Sequence, residues 1–287
     1  MVNRDDLKGA RLFVTGGTGL IGRWLLESFV QQAFEAEMVV LTRNPGALAF
    51  PQVSFLEGDI CDFKYPEGEF SHVIHAAASI EGPQVFRSIV DGTENVLEFA
   101  AQKHVKHFLF LSSGAVYGHA ASGTFHEDSP ILPQSVYGEA KVIAEKLCVE
   151  GLIARVFACI GPHLPVKYAL GNFIQSCLEE RPIQIQGDGT AVRSYIYASD
   201  LVHWLWTILL KGTPLRPYNV GGSQAISIAD LARLVAGIVR PGTQIIMLGQ
   251  PGLSSCYVPD ISRAKLELGL EPTVGLESAI ARTANVN

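Results

Sequence analysis

One short stretch decides the fold of this chain: Thr15-Gly16-Gly17-Thr18-Gly19-Leu20-Ile21-Gly22. It follows an apolar run over residues 11–14, which predicts a buried strand, and it precedes a helical pattern over residues 24–32. Glycines at this spacing let the backbone approach a pyrophosphate, and the following helix offers free N–H groups and the positive end of its dipole. A glycine-rich turn without a ligand is the alternative. The order strand, turn, helix favours dinucleotide binding.

The rest of the first half alternates strand and helix patterns. Short apolar runs predict further strands at 38–41, 53–56, 73–75, 108–111 and 153–156, and longer periodic segments predict helices at 90–102 and 136–148. The strands are continuously apolar, which is typical of parallel strands buried on both faces. Strands that alternate with helices predict right-handed crossovers. The sequence therefore predicts an α/β fold built on a doubly wound parallel sheet.

The second half is broken by prolines into shorter pieces. Helices are predicted at 171–180, 199–211, 228–239 and 261–268. A length of 287 residues allows one large domain or two intimate ones. We place a change of domain near residue 157.

Composition narrows the class of protein. Hydrophobic residues make up 48%, which excludes a disordered chain. The net charge is −6 and the basic residues are scattered, so no nucleic-acid partner is expected. The first residues carry acids and no apolar stretch, so no signal peptide is expected. The longest apolar run, 201–210, is too short to span a bilayer and predicts a buried helix, with no membrane association.

The cysteines point to a reducing compartment. The five of them (Cys61, Cys148, Cys159, Cys177 and Cys256) contain no Cys-x-x-Cys pair and are odd in number. This pattern favours buried thiols over disulfides or zinc. We expect a cytoplasmic protein without a bound metal.

The residues after the second strand bear on the choice of dinucleotide. A carboxylate there would bind the ribose hydroxyls of NAD, but the chain has Thr42 and Arg43. An arginine can pair with a 2′-phosphate, which favours NADP, with NAD as the alternative and an ordinary exposed arginine as the plain explanation. Asp59, after the third strand, could accept a hydrogen bond from the adenine amino group, or could simply stabilise a turn.

A candidate catalytic set comes from two segments. Tyr137 and Lys141 are spaced i and i+4 on a predicted helix, so both can face one site. A nearby ammonium favours the phenolate and lets a tyrosine act as acid or base closer to neutral pH. Ser113 ends a predicted strand, at the sheet edge where ligands of doubly wound folds bind. Its hydroxyl could bond the substrate oxygen that Tyr137 protonates, while a nicotinamide exchanges hydride with the adjacent carbon.

Together these residues resemble the extended short-chain dehydrogenase/reductase family, in its nucleotide-sugar epimerase/dehydratase branch. The resemblance runs along nearly the whole chain. In the first half it rests on the Gly16–Gly22 turn, Gly58-Asp59, His75-Ala76-Ala77, Gly92-Thr93, Ser112–Gly118, Tyr137–Lys141 and Arg155. It continues through Gly161-Pro162, Gly187-Asp188-Gly189, Arg193–Asp200, Tyr218–Gly221 and Pro259-Asp260-Ile261.

The resemblance implies a Rossmann-type NAD(P)-binding domain over 1–156, joined by about 191–215, and a smaller C-terminal α/β domain over 157–287 that mainly binds a nucleoside-diphospho-sugar. It also implies a homodimer that pairs through helices flanking the sheet. Cofactor contacts are expected at Gly16, Gly19, Leu20, Ile21, Gly22, Thr42, Arg43, Asp59, Ile60, Ala76, Ala77 and Lys141.

The same resemblance assigns roles to individual residues. Ser113, Tyr137 and Lys141 form the catalytic triad, and Lys141 also holds the nicotinamide ribose. Arg193 matches an arginine that contacts substrate phosphate, with a domain-bridging arginine as the alternative. Asn172 and Phe173 match a segment that approaches the nucleotide.

The chain also departs from the family pattern. The sugar 4,6-dehydratases of the family carry an Asp-Glu pair after the catalytic hydroxyl residue, where this chain has Gly114 and Ala115. No side-chain acid at these positions can protonate a leaving C6 hydroxyl. Ile89 and Ala158 stand where many members have asparagine, and the stretch between 78 and 92 is short. The change at Ala158 weakens the family's usual diphosphate contact, and the short stretch changes the roof of the expected substrate pocket.

The expected reaction is hydride transfer at C4 of a nucleoside-diphospho-sugar, as a 4-keto-sugar reductase that consumes NADPH. The alternative is a 4-epimerase with a retained cofactor. A 4,6-dehydratase, a catalytically silent dinucleotide sensor and a reductase of non-nucleotide carbonyls are weaker candidates. Arg43 favours the reductase, because cells keep NADPH largely reduced.

Overall fold

The structure is a computed structural model that describes residues 2–120, 123–250 and 255–285. Its strands are β1 (Arg11–Thr15), β2 (Glu37–Thr42), β3 (Val53–Glu57), β4 (His72–His75), β5 (His107–Ser113), β6 (Leu152–Val156), β7 (Cys159–Ile160), β8 (Ile183–Ile185), β9 (Val192–Arg193), β10 (Ile196–Tyr197), β11 (Tyr218–Val220), β12 (Ile226–Ser227), β13 (Ile245–Met247) and β14 (Cys256–Tyr257). Its α-helices are α1 (Leu20–Gln31), α2 (Val85–Gln102), α3 (Val136–Leu147), α4 (Ala169–Leu178), α5 (Ala198–Lys211), α6 (Ile228–Val239), α7 (Ser262–Leu268) and α8 (Leu276–Ala284). Short 3-10 turns lie at Arg4–Leu7, Pro45–Ala47 and Gly114–Tyr117.

The main sheet is parallel and has the strand order β11-β6-β5-β4-β1-β2-β3. β1 pairs with β2 on one side and with β4 on the other. The strand order therefore reverses between β1 and β4. In sheets of this kind, ligands bind at the carboxyl edge beside that reversal. The doubly wound Rossmann-type sheet predicted from the sequence is confirmed.

Both faces of the sheet are covered, which explains the continuously apolar strands. On one face, α2 and α3 pack on a cluster that includes Phe13, Phe99 and Phe110. On the other, Trp206 lies with its ring centroid 5.2 Å from that of Phe34, and its indole N–H donates to Ser28 of α1. Burial of both faces leaves polar groups free to reach solvent only at the strand ends.

By Cα packing the chain divides into two compact units. Unit 1 comprises Met1–Gly118, Pro130–Arg155 and Val202–Tyr218, and unit 2 comprises His119–Ser129, Val156–Leu201 and Asn219–Asn287. The chain passes from unit 1 to unit 2 between Arg155 and Val156, next to the boundary expected at residue 156. The segment that returns to the first unit begins later than the expected 191, and 119–129 joins the second unit, which the sequence did not indicate.

Unit 2 has its own core and three small sheets. The sheets pair β7 with β10, β8 with β13, and β9 with β12 and β14. Its core is formed by α4, α6 and α8, through residues such as Ile174, Leu231 and Ile280. The hydroxyl of Ser227 accepts from the backbone of Asp230 and caps α6, which begins where the sequence predicted it.

Several elements differ from the sequence prediction. α1 begins at Leu20 and not at residue 24, because the first turn of the helix is part of the glycine-rich stretch. α2 begins at Val85 and not at residue 90, since the loop before it is short. The sequence analysis missed α8, whose buried face includes the small residues Ala279 and Ala284.

The apolar run at 201–210 is helical and its large side chains are buried, as predicted. Trp204, Leu205 and Trp206 are fully buried along it. A helix that is apolar all round belongs in a core. Within the described ranges, no helix is long and apolar enough to cross a membrane.

The first prediction concerns Gly16, whose φ is +73° and whose added Cβ would come within 2.6 Å of the backbone of Ala76 and Ala77. Gly9 is a matched control, because its φ is +71° but nothing lies within 4 Å of an added Cβ. Gly9→Ala should lower the free energy of unfolding by about 1–2 kcal/mol, because alanine is strained in the left-handed conformation. Gly16→Ala should lose at least about 1 kcal/mol more, because backbone must move.

Urea unfolding followed by tryptophan fluorescence measures this difference. The three tryptophans, Trp24, Trp204 and Trp206, all lie in unit 1 and report on that unit. Equal losses of unfolding free energy in the two variants would show that the close approach at Gly16 contributes nothing.

Candidate active site

The glycine-rich turn is folded as tightly as its sequence suggests. An added Cβ at Gly22 would lie 2.1 Å from the carbonyl oxygen of Gly16. The first turn of α1 can therefore pack against the glycine-rich turn only because residue 22 has no side chain. Gly19 is the N-cap of α1 and provides no side-chain cap. The first N–H groups of a helix have no intrahelical partner. The amides of Leu20, Ile21 and Gly22 can therefore bind an anion at this end of α1.

A cleft of about 790 Å³ opens beside this turn, at the carboxyl ends of β1, β2 and β4. Its size is typical of a small-molecule site. It is lined by Thr15, Gly16, Thr18, Gly19, Leu41, Thr42, Arg43, Gly58, Asp59, Ile60, Cys61, Asp62, Ala76, Ala77, Ala78, Ser79, Gln84, Arg87 and Ser88. The residues present fit a dinucleotide: a glycine-rich turn, an uncapped helix N-terminus and a cleft of about 790 Å³.

Eight of the expected cofactor residues line this cleft. They are Gly16, Gly19, Thr42, Arg43, Asp59, Ile60, Ala76 and Ala77. Leu20, Ile21, Gly22 and Lys141 are not among its lining residues: the first three form the start of α1, and Lys141 lies on α3. The sequence analysis missed Gln84, Arg87 and Ser88. They reach the cleft because α2 starts before its predicted first residue, and no sequence signal marked that start.

The end of β2 carries no acid. Thr42 is buried, and its hydroxyl contacts the hydroxyl of Thr18 and accepts from the backbone N–H of Asn44. Arg43 is exposed on the cleft wall, where its guanidinium is accessible to an anion. The carboxylate of Asp59 accepts from the backbone N–H of Cys61, so the turn role proposed for it is present. Asp59 also lines the cleft, so a hydrogen bond from the adenine amino group to its carboxylate stays a prediction.

The segments that carry Ser113 and Tyr137 meet at a close backbone approach. Ser113 ends β5, and its oxygen accepts from the backbone N–H of Ala115, which leaves the hydroxyl proton available. Tyr137 is the second residue of α3, whose N-cap Ser135 accepts from Gly138. An added Cβ at Gly138 would lie 2.6 Å from the carbonyl oxygen of Ala115. α3 therefore packs directly on the 3-10 turn that follows Ser113.

Lys141 lies one helical turn beyond Tyr137 and is 2% exposed. Its Nζ donates to the carbonyl oxygen of Leu111 at 2.6 Å and lies 4.5 Å from the ring centroid of Phe110. It is 5.8 Å from the ring centroid of Tyr137. Burial lowers the pKa of Lys141 to about 8, while Cys148 and Glu145 favour its charged form. The ammonium is thus held next to the phenol at neutral pH.

Behind these groups lies a buried ion pair. Arg155 of β6 donates from Nη2 to Glu145 of α3 at 2.7 Å and from Nη1 to the hydroxyl of Tyr117 at 2.7 Å. Glu145 also accepts from the hydroxyl of Ser112. Burial opposes the charge on Arg155, but Glu145 and Tyr117 outweigh it and raise the pKa of the guanidinium. Ser112 and Tyr117 lie on either side of Ser113 in the sequence. Their bonds to the ion pair therefore fix the segment that contains Ser113.

The expected substrate residues lie in unit 2. Phe173 is 2% exposed in the core of that unit, so its side chain packs inside and only its backbone could meet a ligand. Asn172 precedes it and is half-buried. The guanidinium of Arg193 donates to the carbonyl oxygens of Val192 and Ser255 and to the hydroxyl of Ser255. These contacts orient Arg193, and its phosphate role stays a prediction.

The fold and these side chains define a class: NAD(P)-dependent enzymes of the extended short-chain dehydrogenase/reductase type. A family model narrows that class. The model described as the NAD dependent epimerase/dehydratase family matches residues 12–221, and the chain belongs to this family.

Individual relatives cover almost the whole chain. A dTDP-glucose 4,6-dehydratase from Streptomyces griseus is 29% identical over an alignment of 303 positions, which covers 95% of this chain and 92% of that protein. A crystal structure of a UDP-galactose 4-epimerase is 28% identical, with a TM-score of 0.81 and coverage of 96% of this chain and 97% of that one. A UDP-glucuronic acid 4-epimerase from Bacillus cereus, solved with UDP-glucuronic acid and NAD, has 24% identity, a TM-score of 0.86 and coverage of 96% and 98%.

The second prediction concerns the pH dependence set by Lys141. Its ammonium is protonated below a pKa of about 8, so cofactor affinity that needs this charge should fall as the pH rises through that value. Glu145 favours the ammonium, so Glu145→Gln should move the midpoint to lower pH. The measurement is cofactor affinity against pH, by nicotinamide fluorescence.

The matched control is Glu139→Gln, an exposed carboxylate on the same helix. It should leave the midpoint where it is, because solvent screens its charge. An unmoved midpoint in Glu145→Gln, in protein that still folds, would contradict the role given to Glu145.

Proposed function

We propose that this chain is a 4-keto-sugar reductase that uses NADPH to reduce a nucleoside-diphospho-sugar at C4. The observation that carries the proposal is the meeting of Ser113 with the Tyr137–Lys141 helix at the carboxyl edge of the sheet. This edge also carries the dinucleotide cleft. A hydride donor and a proton donor are the two groups that carbonyl reduction needs.

The chain's own residues handle the proton. Tyr137 donates its phenolic proton to the carbonyl oxygen, and the free hydroxyl proton of Ser113 bonds the same oxygen. Lys141 uses one N–H on the carbonyl of Leu111 and keeps two more for other partners. Its positive charge stabilises the phenolate form of Tyr137 after proton transfer, and solvent then reprotonates that phenolate. A bound nicotinamide supplies the hydride for the carbonyl carbon.

The two positions after Ser113 carry no acid that could serve dehydration at C6. The positions after Ser113 are Gly114 and Ala115, the first residues of the 3-10 turn. The carboxylate bonded to the neighbouring Ser112 belongs to Glu145, which is committed to Arg155. Although a curated relative is named a 4,6-dehydratase, these side chains support redox chemistry at C4 without elimination.

A 4-epimerase is the second candidate. The specific observation for it is the 28% identity to a solved UDP-galactose 4-epimerase, a likeness that extends over both chains. In that reaction Tyr137 would first remove a proton from the sugar hydroxyl and later return it. Net consumption of NADPH separates the two candidates.

NADP is the proposed cofactor, with NAD as the alternative. Similar solved structures contain NAD. In this chain, however, Thr42 and the exposed Arg43 occupy the place of the ribose-binding acid. Unit 2 is proposed to bind the sugar nucleotide through Arg193 and the Asn172 segment.

The homodimer implied by the family likewise remains a proposal. Val136 and Ile143 of α3 and Phe86 of α2 are exposed apolar residues on the helices expected to pair.

The third prediction tests the cofactor. Arg43→Ala should weaken NADPH binding by about 10- to 150-fold, because a charge-assisted bond to the 2′-phosphate is worth roughly 1.5–3 kcal/mol. NADH binding to the same variant is the control and should not change. Titration of nicotinamide fluorescence gives both constants. A wild-type protein that binds NADH more tightly than NADPH would contradict the choice of NADP.

The fourth prediction tests the reaction. Purified protein, offered dTDP-, UDP-, CDP- and GDP-linked 4-keto-6-deoxy sugars, should oxidise NADPH with one of them and form one alcohol per NADPH. Tyr137→Phe should lower the rate by about 100- to 10,000-fold, the range of general acid catalysis. Loss of nicotinamide absorbance and product chromatography are the measurements.

Tyr65→Phe serves as the matched control, because Tyr65 is a half-buried tyrosine of the same unit that bonds Asn95. It should keep its turnover. Interconversion of 4-epimers without NADPH loss would establish the epimerase instead, and unchanged turnover in Tyr137→Phe would contradict both candidates.

A further inference from the structure

We propose that His75 is a positioning residue, a neutral imidazole with its proton on Nε2 that links the end of β1, which lines the cofactor cleft, to helix α2 through Thr15 and Thr93. The inference rests on the proposed cofactor role of the cleft. It concerns three side chains, of which only Thr15 lines the cleft.

The geometry is a continuous hydrogen-bonded chain. His75 is the last residue of β4 and is fully buried. Its Nδ1 lies 2.7 Å from the hydroxyl oxygen of Thr15, the last residue of β1. Its Nε2 lies 2.9 Å from the hydroxyl oxygen of Thr93, which is in the middle of α2. One ring therefore links two strands and a helix.

The outer contacts fix which way every proton points. The hydroxyl of Thr93 donates to the carbonyl oxygen of Ile89, one turn earlier in α2. Its oxygen must then accept from His75, which places the imidazole proton on Nε2. The bare Nδ1 accepts from the hydroxyl of Thr15, and the oxygen of Thr15 accepts from the backbone N–H of Ala77 at 3.2 Å. The chain runs one way, from Ala77 to Ile89.

This hydrogen-bonded chain connects elements that each contribute residues to the cleft. The ends of β1 and β4 contribute Thr15, Gly16, Ala76 and Ala77, and the start of α2 contributes Gln84, Arg87 and Ser88. Gly16 packs against the Ala76–Ala77 backbone with no room for a Cβ. A shift of α2 would therefore be transmitted through His75 to the turn that receives the pyrophosphate.

The surroundings keep the ring neutral. Burial and, to a smaller extent, the positive charge of Lys141 lower the pKa of His75 to about 3. The ring centroid of Phe110 lies 5.5 Å from that of His75, and Nζ of Lys141 lies 4.5 Å from the same phenyl centroid. A second cation in this layer would be buried beside the first, so the imidazole acts as a fixed donor and acceptor.

The test is Thr93→Val, which keeps the shape of the side chain and leaves Nε2–H of His75 without an acceptor. Thr93 does not line the cleft. We expect the Kd for NADPH to rise about fivefold or more, with the change in KM for the cofactor exceeding the change in kcat, because a buried donor without a partner costs free energy. Thr93→Ser retains the hydroxyl and should restore the affinity.

Thr207→Val is the matched control. Thr207 is a buried threonine of α5, in the same unit, whose hydroxyl also donates to the carbonyl oxygen one turn earlier, that of His203. It should lose a similar amount of thermal stability and keep the wild-type Kd. A Thr93→Val protein that binds NADPH as tightly as wild type and Thr207→Val would overturn the proposal.

Heteronuclear NMR of the imidazole nitrogens tests the tautomer without any cofactor. The chain has eight histidines, and the signal lost in His75→Gln identifies this one. We expect a neutral Nε2–H ring that does not titrate near neutral pH; an Nδ1–H ring or a charged one would refute the inference. If wild type bound neither NADPH nor NADH, the proposed function would fail, while the NMR result would still decide the state of His75.

Discussion

Gly16 lies so close to the peptide between Ala76 and Ala77 that a Cβ atom would come within 2.6 Å of the carbonyl carbon and of the next amide nitrogen. This contact joins the carboxyl ends of β1 and β4, where the strand order reverses. The cleft opens at this point, because the loops from the two strands turn to opposite faces of the sheet. The uncapped start of α1 depends on the turn that this contact holds, and so does the proposed link through His75.

The packing of α3 on the segment after β5 depends on a second close approach of the same kind. Gly138 lets α3 rest on the carbonyl of Ala115, so the segment that carries Tyr137 packs on the segment that carries Ser113. Lys141 is buried against the ring of Phe110, and this burial lowers the pKa of its ammonium. The carboxylate of Glu145 raises the pKa of Lys141 again, while it accepts a hydrogen bond from Arg155. A buried ion pair adds little stability by itself, and its use here is to fix geometry around Ser113.

Relatives with different reactions share this framework, so the reaction is decided by few side chains. A dTDP-glucose 4,6-dehydratase and a UDP-galactose 4-epimerase match this chain at nearly equal identity. The fold and the family are common to both and do not choose between them. In this chain Gly114 and Ala115 follow Ser113, and Thr42 and Arg43 stand at the end of β2. The proposed reaction and the proposed cofactor rest on these positions.

The sequence by itself determined the sheet, the glycine turn and the family, because these depend on local patterns: apolar strands, glycine spacing and the i, i+4 pair of Tyr137 and Lys141. Tertiary structure decided what depends on contacts between distant segments. The early start of α2 placed Arg87 and Ser88 on the cleft, and burial in the core of unit 2 withdrew the side chain of Phe173. The partners of His75, Thr15 and Thr93, are 60 and 18 residues away along the chain. Only the packed sheet and helix bring them within hydrogen-bonding distance, and the pKa of Lys141 likewise depends on burial that no local pattern encodes.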